Sequence, residues 1–179
     1  MEKCEIGLMH DRSMFNMVSD SIRGGLSFVN TKFMTTENSS SDNILYIDLN
    51  NMYGISQCLP LPQGSYKWEV DNSFVFDQWR NWSLNQTRGY IIECDLIYDP
   101  SLHVSHEMMP LAPEQLKINY DMLSPMSKHL LAHKGDNNGK GYTALKLSST
   151  FNPRIRYVTH YMNLQYYLKS GLVLDKVHR

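Results

Sequence analysis

The chain has 179 residues, of which 42% are hydrophobic and 20% charged, and this length and composition predict one globular domain with a hydrophobic core. There are 17 Lys and Arg residues against 18 Asp and Glu residues, so the net charge is −1 with histidine neutral. The composition excludes a disordered or fibrous chain, and the charge lacks the basic excess that is typical of a free-standing nucleic-acid-binding protein.

The first predicted element is a helix that begins after Asp11, a residue type favoured at helix N-caps. Its apolar residues recur at helical spacing, at Met14, Phe15, Val18 and Ile22. We expect the helix to end at the segment IRGG, because paired glycines end helices and permit close approach to the backbone.

A strand is predicted over the apolar run of ILYIDLNNMYG, residues 44–54, and this run ends on a single carboxylate, Asp48. The asparagines and glycine that follow predict a tight turn. Shorter extended pieces are predicted at LSFVNTKF before this strand and at SYKWEV after it.

An amphipathic helix is predicted at NSFVFDQWRNWSLNQ, with Val75, Trp79 and Trp82 on one side. A second strand follows at YIIECDLIY, which is rich in β-branched and aromatic residues. Glu93 and Asp95 share one face of this second strand, so its pairing with the first strand would make one face of the sheet acidic.

Prolines and glycines interrupt residues 99–153, which we interpret as an inserted subdomain. One helix is predicted inside it, at SPMSKHLLAHKG. Ser124 is its expected N-cap, Pro125 its first residue and Gly135 its C-terminal stop.

Residues 154–179 predict a strand, a helix and a final strand, LVLDKV. The helix has an apolar stripe of Tyr161, Leu164 and Leu168 and is expected to end at Gly171. This succession predicts an α+β fold, in which helices pack against an antiparallel sheet.

No apolar run approaches the roughly 18 residues that span a bilayer, and the N-terminus has no apolar signal segment. Three widely spaced cysteines form no disulfide framework. We therefore expect an intracellular protein without a membrane partner, and we interpret three Asn-x-Ser/Thr sequences as chance matches, at Asn38, Asn81 and Asn85.

The position of Asp48 makes it the strongest candidate for a catalytic or metal-binding residue. A carboxylate in an apolar strand is costly to bury unless it is paired or binds a metal, although a strand-end acid that reaches solvent or caps the turn is an equally good interpretation on spacing alone. Magnesium takes one or two carboxylates plus substrate phosphates. An acid beside a turn that offers N–H groups, with an aromatic ring beyond it, fits a nucleotidyl-transfer site.

The segment YIDLNNMYG resembles the D-x-x-S-L-Y-P motif of family B DNA polymerases, in which the Asp holds the catalytic metals and the Tyr lies against the incoming sugar. IRGG looks like the Y-x-G-G motif of the protein-primed branch, which occurs in phages, adenoviruses, linear plasmids and self-synthesising transposons. LPLPQGSYKW is similar to the L-P-x-G-G-F-x-W run of the viral and transposon members. Two later stretches match further segments in the same order, GYIIECDLIYDPSLHVSHEMMPLAPE and YVTHYMNLQYYLKSGLVLDKVHR.

The resemblance covers nearly all of the chain from about residue 11 and implies the first part of a polymerase palm. Residues 1–25 would be a linker helix that ends in IRGG, and residues 26–98 a palm segment with the Asp48 motif. Residues 99–153 would be an inserted subdomain, and residues 154–179 the returning palm helix and strand.

Carried over by position, the resemblance implies that Asp48 binds catalytic metal through its carboxylate and Leu49 through its carbonyl. Three residues are implied to bind the nucleotide: Asn51, Met52 and Tyr53. The ring of Tyr53 would exclude a ribose 2′-OH by contact. Three residues are implied to lie along the template strand: Arg23, Gly24 and Gly25.

Ile22, Asn51 and Gly54 depart from the family pattern, which has Tyr, Ser and Pro at those positions. Two later family segments, K-x-x-x-N-S-x-Y-G and Y-x-D-T-D, do not occur in the chain, and the second of these supplies the other catalytic acid. Two-metal transfer needs carboxylates from separate segments that hold ions about 3.5–4 Å apart. The resemblance therefore implies half of a Mg²⁺ site, and we expect the chain alone not to polymerise.

Glu93 and Asp95 are the other acidic candidates, and we interpret them as solvated residues on an open sheet face rather than as catalytic acids. His129 and His133 share one helix face at i, i+4 spacing. The general-base Glu of the zinc-protease motif is missing there, so surface or helix-end histidines are the favoured interpretation.

The resemblance thus implies a fragment of a DNA-directed DNA polymerase that adds deoxynucleotides to a primer during replication. Its implied partners are a DNA template and primer, deoxynucleoside triphosphates and a terminal protein primer. One alternative is a non-catalytic remnant of a virus or transposon, including one kept as a nucleic-acid-binding module. Another is an unrelated α+β binding protein.

Overall fold

A computed structural model of the chain describes residues 5–29, 43–133 and 141–179. The chain divides into two compact units. The first contains the described residues of Met1–Ile22, Ser27–Asp99 and Pro153–Arg179, and the second those of Arg23–Leu26 and Pro100–Asn152. Helices and antiparallel sheets make up the structure, so the α+β prediction is confirmed.

The first unit is built on a three-stranded antiparallel sheet in the order β4-β1-β5. Its strands are β1 (Ile91–Ile97), β4 (Arg154–His160) and β5 (Val173–Val177). Its helices are α1 (Arg12–Ser21), α2 (Met52–Gln57), α3 (Phe74–Gln78) and α5 (Tyr161–Lys169), with a 3-10 turn at Trp79–Asn81. Both edges of β1 are paired, so β1 is the central strand.

The second unit contains a two-stranded antiparallel sheet and one α-helix. The strands are β2 (Glu114–Asn119) and β3 (Thr143–Ser148), and the helix between them is α4 (Pro125–His133), with 3-10 turns at Pro100–Leu102 and Tyr120–Met122. The predicted start of α4 is confirmed, because the Ser124 hydroxyl accepts the N–H of Ser127 at 3.2 Å. The predicted stop at Gly135 lies outside the described residues.

The start of α1 is also confirmed, because Asp11 Oδ1 accepts the N–H groups of Ser13 at 2.7 Å and Met14 at 3.2 Å. The helix ends at Ser21, before the glycines of IRGG. Its buried residue is Met17, whereas Phe15, which was expected on the apolar face, is 59% exposed.

The core of the first unit lies where α5 and the 79–82 segment meet the sheet. The predicted stripe of α5 is confirmed, since Tyr161, Leu164 and Leu168 are buried. The ring of Trp82 packs edge-on against Tyr161 at 5.8 Å. Full burial of a side chain such as Leu164 stabilises the fold by about 1.5–3 kcal/mol.

Gln165 is a polar member of this core and is 4% exposed. Its Nε2 donates to the carbonyls of Trp79 and Trp82, each at 2.9 Å, and lies 3.3 Å from the carbonyl of Arg80. The last carbonyls of a helical turn have no partner inside that turn. The amide of Gln165 therefore satisfies the end of the 3-10 turn from α5.

The prediction of a strand at ILYID is wrong in this structure. Residues 43–49 form neither strand nor helix, and Tyr46 and Ile47 are 96% and 77% exposed. Because β4 and β5 occupy both edges of β1, this segment does not pair with β1, and the acidic sheet face that such a pairing would make does not form. No strand forms at SYKWEV or over the described residues of LSFVNTKF.

None of the helices in the described parts of the chain has both the length and the apolar character needed to cross a membrane.

Candidate functional site

The Asp48 motif forms a turn and a short helix in the first unit. Asn51 has φ 57° and ψ 44°, a left-handed conformation that Asn tolerates better than most residues. Its Oδ1 accepts the N–H of Gly54 at 3.1 Å, and its carbonyl accepts the N–H of Ile55 at 3.1 Å. Asn51 is thus the N-cap of α2.

Gly54 is required by this cap. A Cβ built at Gly54 would lie 2.4–2.7 Å from the side-chain atoms of Asn51, and proline would lack the N–H that Asn51 accepts. Asn51 and Gly54 both differ from the family pattern that this segment resembles. In this conformation each residue explains the other, because the cap made by Asn51 needs a residue at position 54 that has an N–H and no Cβ.

The implied ligand-binding residues of the motif are on the surface. Tyr53 is 88% exposed, Leu49 69% and Met52 59%, and Asp48 is exposed too. No residue of α2 is buried. These side chains are therefore available to a ligand rather than committed to the core.

Asp48 brings a single carboxylate to this site. Among residues 5–29, 43–133 and 141–179, no group of three or more His, Cys, Asp or Glu side chains is arranged to hold a metal ion. The oxygens that remain as possible ligands are the Asp48 carboxylate and the Leu49 carbonyl.

Arg23, Gly24 and Gly25 belong to the second unit. A Cβ built at Gly24 or Gly25 would meet no described atom within 4 Å. Since α1 has already ended at Ser21, the glycines are not needed to stop the helix. Neither the helix end nor the packing of the described residues explains why both positions are glycine.

The segment LPLPQGSYKW is fixed to the start of the first unit. The Gln63 carbonyl accepts the N–H of Gly7 at 2.7 Å, and Trp68 Nε1 donates to Asp11 Oδ2 at 3.0 Å. Gly64 has φ 146° and Ser65 has φ 58°. Ser65 stands where the similar family run has its second glycine, so a positive φ occurs at both of these positions.

Glu93 is a buried ion-paired residue, and its interpretation as a solvated surface acid is wrong. It is 3% exposed, and its two carboxylate oxygens contact Arg156 Nε at 2.8 Å and Arg179 Nε at 2.5 Å. Because both carboxylate oxygens contact guanidinium groups, Glu93 has a structural role and does not offer a site for a metal ion.

Asp95 lies at a bulge of the same sheet. The register between β1 and β4 shifts between Cys94 and Leu96, and Arg156 opposite has a left-handed φ of 52°. Asp95 Oδ1 accepts the Arg156 N–H at 2.7 Å and lies 2.8 Å from His178 Nε2. The hydrogen bond from the Arg156 backbone lowers the pKa of Asp95, burial opposes that shift, and the His178 contact adds to it.

We expect Asp95→Asn to make the protein less sensitive to acid. The folded-state pKa of Asp95 lies below its unfolded value of about 3.9, so its contribution to stability is present above that pH and is lost as the pH falls through the folded pKa. The difference in free energy of unfolding between wild type and variant should therefore shrink as the pH falls below about 5. Urea denaturation across this range measures it, and a pH-independent difference would contradict the prediction.

Sequence reasoning did not identify the partners of these acids, namely Arg156, His178 and Arg179. They lie 61 or more positions from the acids they contact. The available signal was the basic content of RIR and HR at the ends of the last two strands. These basic residues do not reveal the register of the strands, so the sequence could not indicate which acid each of them contacts.

Comparisons with family models, with curated proteins and with solved structures find no significant match to the chain.

Proposed function

We propose that the chain is the first part of a protein-primed family B DNA polymerase palm and contributes one metal-binding carboxylate, Asp48, to template-directed DNA synthesis. The observation that carries this proposal is the order of the motif-like blocks, with IRGG, YIDLNNMYG and LPLPQGSYKW following one another as in that family. Each block alone is a weak signal, whereas the order of the blocks along the chain is a specific one.

Three features of the structure support the proposal. The side chains of Leu49, Met52 and Tyr53 are exposed rather than buried in the core, with Tyr53 88% exposed. Packing among the described residues does not require glycine at either glycine position of IRGG. Glycine there suits a backbone that a nucleic acid approaches closely. Gly64 and Ser65 have positive φ where the family run has glycine.

The oxygen ligands at the motif fit part of a Mg²⁺ site. Mg²⁺ prefers hard oxygen donors and keeps water or phosphate oxygens as further ligands, so one carboxylate and one carbonyl suit it. When bound beside a second acid, the ion would stabilise charge on the transferred phosphate. Within the chain, Asp48 would hold the ion, and Tyr53 would lie against the sugar of the incoming nucleotide.

The proposal predicts that the 179-residue chain does not extend a primer, whereas a longer product of the same gene does. Translating the encoding DNA beyond Arg179 should add the K-x-x-x-N-S-x-Y-G and Y-x-D-T-D segments. Asp48→Ala should then lower Mg²⁺-dependent primer extension by about 100-fold or more, because a catalytic metal contributes several kcal/mol. The assay is incorporation of labelled deoxynucleotides.

A matched control is Asp20→Ala, which removes an exposed acid from α1 and should leave extension unchanged. A reading frame that stops without those segments would overturn the proposal. So would primer extension by the longer product that is equal in wild type and Asp48→Ala. Extension by the 179-residue chain that depends on Asp48 would overturn the half-site account.

A further inference from the structure

Helix α4 of the second unit presents two exposed histidines one turn apart, His129 and His133. Their ring centroids are 4.3 Å apart, and their planes are inclined by 53°. His133 Nδ1 lies 2.9 Å from the backbone carbonyl oxygen of His129. Because a carbonyl oxygen has no proton to donate, Nδ1 is the donor.

That hydrogen bond fixes the tautomer of His133. With the proton on Nδ1, the neutral ring carries its free lone pair on Nε2. Histidines that bind metals usually donate their other ring N–H to a carbonyl or carboxylate, which orients the ring and increases its basicity. His133 thus already has the outer hydrogen bond of a metal ligand.

We propose that His129 and His133 form a two-histidine chelate for a divalent transition metal of the Cu²⁺ or Ni²⁺ type. With metal–nitrogen bonds of about 2.0–2.1 Å and a ring nitrogen about 1.1 Å from its centroid, two imidazoles at right angles around one ion have centroids roughly 4.5 Å apart. A tetrahedral ion would place them roughly 5.2 Å apart. For a shared ion that faces Nε2 of both rings, the observed 4.3 Å is nearer the right-angle value, which square-planar or tetragonal ions adopt.

The surroundings of the pair leave it accessible. Lys128, the neighbouring cation on α4, is directed elsewhere, since its Nζ donates to the Asp121 carbonyl at 3.2 Å and lies 5.4 Å from the Tyr120 ring centroid. The described residues add no third His, Cys, Asp or Glu to a cluster here. Mg²⁺ prefers oxygen ligands and does not compete for this site.

The test is calorimetric titration of the untagged chain with Ni²⁺, Cu²⁺ and Zn²⁺ near neutral pH. We expect one equivalent of Ni²⁺ to bind, more tightly than Zn²⁺. His129→Gln and His133→Gln should each weaken binding by about tenfold or more, because a chelate needs both rings. His10→Gln removes an exposed histidine elsewhere and should change nothing.

Both substituted side chains are exposed, so circular dichroism of the variants should match wild type and exclude unfolding as the cause of lost binding. Ni²⁺ binding that survives either single substitution would overturn the chelate. Tighter binding of Zn²⁺ than of Ni²⁺ would overturn the right-angle geometry on which the choice of metal depends.

Discussion

Gln165→Glu is expected to lower the free energy of unfolding by roughly 3–5 kcal/mol at neutral pH, because it creates an uncompensated buried charge. The amide of Gln165 is 4% exposed and donates to the carbonyls of Trp79 and Trp82 at 2.9 Å. Glutamate has the same shape and no N–H, so its carboxylate would face carbonyl oxygens in a place closed to water.

The loss should depend on pH in a direction that identifies its cause. A carboxyl group at position 165 is favoured in its protonated form in the folded state, so its pKa there is raised above the ordinary value of about 4.3. Below a pH of about 4.3 the carboxyl group is protonated in both the folded and the unfolded state, so the destabilisation due to its charge is absent. This destabilisation grows as the pH rises above that value. Urea denaturation of wild type and variant at several pH values measures this difference.

Two further variants separate charge from packing. Gln165→Met keeps the volume without a charge, and it should cost about 1–3 kcal/mol at every pH because the Trp82 carbonyl loses its donor. Gln78→Glu makes the same chemical change on an exposed residue of α3 and should stay within about 0.5 kcal/mol of wild type. Equal losses in the Glu and Met variants at neutral pH would contradict the argument from charge.

Elements whose determinants are close together in the chain could be predicted from the sequence. Asp11 caps the N–H groups two and three residues ahead of it, and Ser124 caps the N–H three residues ahead of it in α4. The stripe of α5 repeats within one or two turns of one helix and needs no knowledge of the rest of the fold. These predictions are confirmed because their physical cause is local.

Sheet pairing could not be predicted because it is not local. ILYID and IIECDLI are both apolar runs with an acid, yet only the second becomes a strand, between partners that come more than 55 residues later in the chain. An alternating apolar pattern indicates that a segment can form a strand. It does not indicate which other segment pairs with that strand. The burial of Glu93 could not be predicted for the same reason, since its guanidinium partners follow Glu93 by more than 60 positions.

In the candidate site, too, local features could be predicted from the sequence and contacts between distant segments could not. Asp48, Asn51 and Tyr53 come from one short stretch, so the sequence alone brings them together, and the structure adds the cap that explains Gly54. A second acid would have to come from another segment. The acids of β1, Glu93 and Asp95, are already paired with basic residues of β4 and of the end of the chain.

Removing both guanidinium partners of Glu93, by Arg156→Met with Arg179→Met, is expected to lower the free energy of unfolding by roughly 3 kcal/mol. The side chain of Glu93 is 5% exposed, whereas those of Arg156 and Arg179 are 58% and 44% exposed. The double variant thus leaves a carboxylate buried without a partner. We place the loss at the low end of the range for unpaired buried charges, because the guanidinium side of the cluster is open to water that can partly solvate Glu93.

The decisive comparison is the triple variant that adds Glu93→Gln, which removes the unpaired charge and should regain most of the lost free energy. Arg12→Met with Arg88→Met makes the same change in net charge and side-chain volume at exposed positions, so it controls for the overall charge of the protein. Chemical denaturation of the four proteins measures the differences. If the triple variant is as unstable as the double variant, the arginines stabilise the sheet through the packing of their stems and not through the charge of Glu93.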